Sequence, residues 1–225
     1  MTKIMNDAED TISREIGSVL SRFGISSKIG SSDNLEDAAI SALTDALVKY
    51  GKSRTQINKI SAVSTLLCSA TGMGDKYCGV MCKASLLYDV GNLKIDPRIY
   101  EKDNKLTFEE FEIIKQHTVM GRDLLLTQKN PTLDMAAVIS AQHHEWYDGS
   151  GYPYRLKGHD ISLSARIVAV ADTTVALYSV RKGRETMEFG EIVEHIKRRS
   201  GFHFDPEVVD RFLENKEKIL EILAK

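Results

Sequence analysis

Residues 141–153 read AQHHEWYDGSGYP. Ala141 and Gln142 continue a helical pattern that begins near residue 132, two histidines stand side by side, and Asp148-Gly149-Ser150-Gly151 then stops the helix. Adjacent side chains of an α-helix diverge by about 100°, so His143 and His144 can converge on one point only where the backbone leaves the helix. The glycine turn supplies that exit. Neutral imidazole is the commonest protein metal ligand, so the pair reads either as two ligands at a helix end or as two surface histidines.

Outward from this stretch the pattern is helical. Thr107 and Glu110 form a capping box, which starts a helix running through Phe111, Ile114 and His117 to about Leu126, and Asn130-Pro131 marks the next break. Helices are expected over 132–143, 163–181, 187–200 and 206–224, and the apolar runs 57–71 and 77–88 are too long for strands and lack alternation. Further back, Asp7 to Phe23 carries apolar residues at helical spacing, 24–34 is a Gly- and Ser-rich linker, and 35–50 is again helical. The reading is an all-α fold, with a helical extension over 1–50 and a domain over 51–225. A long segment at 146–162 without regular structure carries the glycine turn, and long ordered loops in compact domains are often functional.

Composition removes some classes of function. Thirty Lys and Arg against 32 Asp and Glu give a formal charge of -2, which lacks the basic footprint of a DNA-binding protein. No apolar run approaches the roughly 18 residues needed to span a bilayer, and no leader pattern precedes the first helix, so the expectation is a cytoplasmic protein. Cys68, Cys78 and Cys82 are an odd number, which argues against a disulfide framework. Cys78 and Cys82 could offer two thiolates from one helix face, but free Cys more often behaves as a small buried hydrophobe.

Metal-type side chains recur in four places: Tyr88-Asp89-Val90-Gly91, His117, His143-His144 and Ala171-Asp172. A mixed His and carboxylate set suits iron, manganese or zinc. Together with KASLLYDVGNLKIDPRIYEKDNKLTFEEFEIIKQH (83–117), GHDISLSARIVAVAD (158–172) and GFHFDPEVV (201–209), these residues make the chain resemble the HD-GYP family over about 53–214. That family comprises bacterial metal-dependent phosphohydrolases acting on cyclic di-GMP. The resemblance implies an HD-type helical bundle with additional GYP helices. It also implies metal ligands at Asp89, His117, His143, His144 and Asp172, with Asp89 the catalytic bridge between two metals if the site is active. The GYP loop is Gly151, Tyr152 and Pro153, placed with Arg181 and Arg184 near substrate phosphates, and Arg166 is a structural arginine.

Three of four departures from the family pattern fall on one side of the site. Tyr88 stands for the histidine of the His-Asp pair, Gln56 for a histidine ligand on the preceding helix, Asn92 for a lysine, and Val175 for an acidic residue. A phenol and an amide oxygen are much poorer ligands than imidazole. The expectation is therefore one divalent first-row metal (Fe, Mn or Zn), with any second one weakly held. The protein would act in cyclic di-GMP signalling by binding that nucleotide, a related guanine nucleotide or a diguanylate cyclase domain, with little or no hydrolysis. The alternatives are an active cyclic di-GMP phosphodiesterase with an altered site and a structural interaction module; a homodimer through the N-terminal helices is a further option. Gln56, Tyr88 and Asn92 are the positions whose reversion to His, His and Lys the sequence names for rebuilding the lost half-site.

Overall fold

The computed structural model describes residues 16–19, 21, 35–100, 105–126, 130–179 and 186–225. Among them all regular secondary structure is helical, with a single bridge between Ser200 and Phe204 and no strand. The elements are α1 (Leu35–Lys49), α2 (Arg54–Ala70), α3 (Asp75–Ala84), α4 (Phe108–Lys115), α5 (His117–Leu125), α6 (Pro131–Gln142), α7 (Leu163–Tyr178), α8 (Phe189–Arg198), α9 (Pro206–Glu214) and α10 (Lys216–Ala224). Short 3-10 turns at Ser85–Leu87 and Val90–Lys94 follow α3. Of the helix expected over 7–23, the described residues 16–19 and 21 are helical; the linker at 24–34 lies outside the described residues.

One apolar core joins these helices. Leu43 and Leu47 of α1, Ile60, Val63 and Leu67 of α2, Met81 of α3, and Val168 and Val170 of α7 are fully buried in it or nearly so. Burying a Leu or Ile side chain contributes about 1.5–3 kcal/mol, so the long α2 and α7 owe their stability to packing as much as to propensity. Although α1 lies in the stretch read as an extension, it shares this core. Cys78 of α3 donates to Cys68 Sγ at 2.8 Å, and burial first, then its partner, pushes the Cys68 thiol up to about 12. Both cysteines are buried core residues, and the raised Cys68 thiol stays protonated, as its apolar setting favours.

Two helices expected to be continuous are broken, and side-chain donors explain both breaks. The run from Thr107 to Leu126 keeps its capping box, with Thr107 Oγ1 accepting from the Glu110 amide at 3.2 Å and Glu110 Oε2 accepting from the Thr107 amide at 3.0 Å. It divides at Gln116, because His117 Nδ1 and Thr118 Oγ1 take the carbonyls of Ile114 (2.7 Å) and Lys115 (2.8 Å). The run 206–224 divides at Asn215, whose side-chain amide donates to the Arg211 carbonyl at 2.9 Å. Local side-chain donors compete in this way with the backbone ladder. The expected end of α7 at 181 moves back to Tyr178.

Gly91 lets the segment after Asp89 lie against the start of α5. A Cβ there would stand 1.8 Å from the His117 carbonyl oxygen and 2.6 Å from the Gly121 amide nitrogen, both backbone atoms with no room to yield. The Gly91→Ala variant should therefore lose about 3 kcal/mol or more of stability, the upper range for overpacking, in urea denaturation followed by circular dichroism. A loss under about 1 kcal/mol would show that the contact is not tight.

Candidate metal centre

Four side chains meet where the 3-10 turns, α5 and α6 converge. Asp89 sits between the two 3-10 turns (φ -103°, ψ 11°), His117 opens α5, His143 caps the C-terminus of α6, and His144 follows it. A ligand atom from each of His117, His143 and His144 lies within 4.8 Å of the others. The end of α6 is what lets the two adjacent histidines converge.

Tautomers are set by the backbone. His117 Nδ1 lies 2.7 Å from the Ile114 carbonyl, and His143 Nδ1 lies 3.1 Å and 3.0 Å from the carbonyls of Ile139 and Ser140. A carbonyl oxygen only accepts, so each Nδ1 carries the proton and each Nε2 presents a lone pair. Those two Nε2 atoms face one another at 3.4 Å, and Asp89 Oδ1 lies 3.4 Å from the first and 3.8 Å from the second. Three electron-rich atoms pointed at one spot repel unless a cation stands among them. This half of the site fits a divalent metal.

Electrostatics supports the same reading. Burial is the main reason why His117 falls to about 4 and why His143 and His144 also lie below the ordinary histidine value; all three are neutral at pH 7 and ready to ligate. Burial pushes the Asp89 carboxyl up, but the Lys52 ammonium and the two histidines outweigh it and hold Asp89 well below the usual carboxylate range.

The other half is built differently. Lys52 Nζ donates to Asp89 Oδ2 at 2.7 Å, and the Tyr88 hydroxyl donates to Asp172 Oδ1 at 3.2 Å. Burial, followed by the charges of Asp172 and Asp89, pushes the Tyr88 phenol well above its ordinary value, so it stays protonated. Asn92 donates to the Asp89 carbonyl at 2.9 Å and accepts from the Tyr100 hydroxyl. Together with Gln56 these residues line a cavity of about 250 Å³. Beside the carboxylates of Asp89 and Asp172, each already accepting from a protein donor, this half offers an ammonium, a phenol and two amides, a poor set for a second metal.

Over this cavity lies the Gly151-Tyr152-Pro153 loop. A Cβ on Gly151 would meet the Trp146 amide nitrogen at 2.2 Å and the His144 carbonyl oxygen at 2.6 Å, so glycine lets the loop fold back onto the histidines. Tyr152 stacks on His144 at 4.8 Å between ring centroids, with the Lys115 ammonium 5.5 Å from the Tyr152 ring. The buried Glu145 carboxylate pins the loop by accepting from the amides of Tyr154 (2.7 Å) and Leu156 (3.1 Å). Outside it a second cavity of about 510 Å³ is lined by Glu112, Lys115, Gln116, residues 149–153 and Arg155.

The structure thus brings Asp89, His117, His143, His144, Asp172, Tyr152, Gln56, Tyr88 and Asn92 around one space. Arg181 and Arg184 lie outside the described residues. Arg166 Nε donates to the Ile161 carbonyl at 2.9 Å and its guanidinium pairs with Asp205, tying α7 to the start of α9. Val175 is core. Lys52, Glu145, Lys115 and Arg155 were missed from sequence.

Burial also lowers His203 to about 4, where it stacks between Trp146 and Phe204 behind the loop. Between about pH 6.5 and 4 an unfolded chain binds protons at His117 and His203 that the fold refuses, so stability must fall as pH falls through that window. In chelator, urea denaturation at pH 7 and pH 4.5 should differ by a few kcal/mol, and His203→Gln should reduce the slope. A pH-independent stability would contradict the buried neutral state.

The HD domain family matches residues 35–208. A cyclic di-GMP phosphodiesterase of Thermotoga maritima is 37% identical over 167 residues, 74% of this chain and 45% of its own length. The cyclic di-GMP phosphodiesterase response regulator RpfG of Xanthomonas campestris is 33% identical over 84% of this chain and 50% of its own length. A 3'3'-cGAMP-specific phosphodiesterase 2 of Vibrio cholerae is 33% identical over 75% and 32%. The chain spans at most about half the length of these relatives. Among solved structures, Bd1817, an HDG"Y"P protein from Bdellovibrio bacteriovorus, shares the fold with a TM-score of 0.61 at 16% identity, over 95% of this chain and 72% of that one. With its histidine cluster closed over by Gly151-Tyr152-Pro153, the chain belongs to the HD domain family, in the HD-GYP group.

Proposed function

We propose that the protein is a degenerate HD-GYP domain that holds one divalent first-row metal between Asp89, His117, His143 and His144 and binds a cyclic dinucleotide with little or no hydrolysis. The observation that carries the single-metal reading is the asymmetry of Asp89. Its Oδ1 faces the two Nε2 lone pairs, whereas its Oδ2 accepts from Lys52. When bound, the metal supplies Lewis-acid polarisation of a phosphate oxygen; clamping both the attacking and the leaving oxygen takes two metals.

This chain's own residues are suited to holding a nucleotide. Tyr152 offers an aromatic face, and Lys52, Lys115 and Arg155 put positive charge along the two cavities. Phosphate contacts need such charge and no nucleophile. The relatives named for cyclic di-GMP and for 3'3'-cGAMP support a cyclic dinucleotide as the ligand class. A diguanylate cyclase domain as partner, a homodimer, a cytoplasmic setting and phosphate contacts from Arg181 and Arg184 belong to the same proposal.

Elemental analysis after dialysis should find about one metal per chain. His144→Ala should weaken it by more than the roughly 10–100-fold that loss of an outer-shell partner costs, with the apoprotein still folded. Calorimetry should detect cyclic di-GMP or 3'3'-cGAMP at micromolar concentrations, while chromatography with added manganese or iron shows no linear product above background. Rapid hydrolysis would establish an active phosphodiesterase with an altered site. Neither metal nor nucleotide binding would leave an interaction module.

A further inference from the structure

The half-site poorly suited to a second metal already contains a cation. Lys52 Nζ lies 2.7 Å from Asp89 Oδ2, opposite the oxygen that faces His117 and His143. The Lys52 side chain is 33% exposed and that of Asp89 11%, so the ammonium stands at the mouth of the cavity and the carboxylate at its floor. We propose that the Lys52 ammonium is a built-in substitute for the second metal, holding the cation position on the outer oxygen of Asp89 and limiting the site to one divalent ion. This rests on the single-metal reading and deepens it.

Sterics and charge both carry the argument. A divalent metal bound by a carboxylate oxygen sits about 2.0–2.2 Å from it, and such an ion approaching Asp89 Oδ2 meets an ammonium already on that oxygen. The two cations would also repel at close range in a poorly solvated site. An ammonium keeps part of a metal's role. It donates hydrogen bonds and can face an anionic phosphate across the cavity, but it cannot ligate water and lower its pKa. Charge for binding is retained and activation of a nucleophile is lost, on the same atom. Tyr88 completes the replacement by donating to Asp172, so both carboxylates of this half are served by protein donors.

Reversion of Gln56 and Tyr88 to histidine is therefore insufficient while Lys52 remains. Asn92 is best left in place, because its amide already bonds the Asp89 backbone and Tyr100. The test is metal content after loading with manganese and dialysis, compared across four proteins whose folding is checked by circular dichroism. Wild type and Gln56→His/Tyr88→His should each retain one manganese per chain. Adding Lys52→Met to the double variant should raise this to two, and adding Lys52→Arg should leave it at one. A double variant that holds two ions with Lys52 intact overturns the proposal, as does a Lys52→Met triple variant that stays at one. Should the triple variant fail to fold, Lys52→Met alone decides by calorimetry: removing the ammonium should tighten manganese at the histidine position by about tenfold, and unchanged affinity overturns the idea. Wild-type stoichiometry tests the single-metal reading separately, since none or two ions there contradicts that reading whatever the variants do.

Discussion

Asp89 is a buried carboxylate kept ionised, and a buried charge is tolerated only with partners on every side. Lys52 donates to Oδ2, while Oδ1 faces the Nε2 lone pairs of His117 and His143 and calls for a cation among them. Each partner comes from a different part of the chain, so satisfying this one group fixes how the segment before α2, the 3-10 turns, α5 and α6 must meet. The site and the fold share that constraint. It also splits the site electrically, with an ammonium on one oxygen and metal-seeking lone pairs on the other.

Close backbone approach is the second requirement. At Gly91 and Gly151 the neighbouring chain is so near that a Cβ would overlap backbone atoms of His117 in one case and of Trp146 in the other. Both lie next to ligand residues, so glycine sets the distance between the segments that carry them. Glu145 then holds the loop closed by accepting two of its amides, and the Trp146–His203–Phe204 stack supports it from behind. The loop bearing Tyr152 is thus pinned from two sides, and Tyr152 meets His144 as a preset aromatic face.

Much of this was legible from local pattern. Helical periodicity, the capping box at Thr107 and the convergence of His143 with His144 depend on residues within one or two turns of each other, where spacing dictates geometry. The breaks at Gln116 and Asn215 were hidden although equally local, because they depend on which carbonyl a side-chain donor selects. Periodicity is silent on that choice. His117 illustrates the cost of the omission: the bond that breaks the helix is the same one that sets its tautomer and points Nε2 at the site.

The sequence by itself determined the all-α class and the presence of a histidine and carboxylate set of metal-ligand type. These are matters of residue identity and short spacing. Only the tertiary structure decided that Lys52 stands on Asp89, that Tyr88 serves Asp172, and that Glu145 fastens the GYP loop. Lys52 and Asp89 are 37 residues apart and Tyr88 and Asp172 are 84 apart, separations at which no periodicity relates one side chain to another. The pairs form because packing buries the carboxylates, and a buried carboxylate must take whichever donor the folded chain brings within reach.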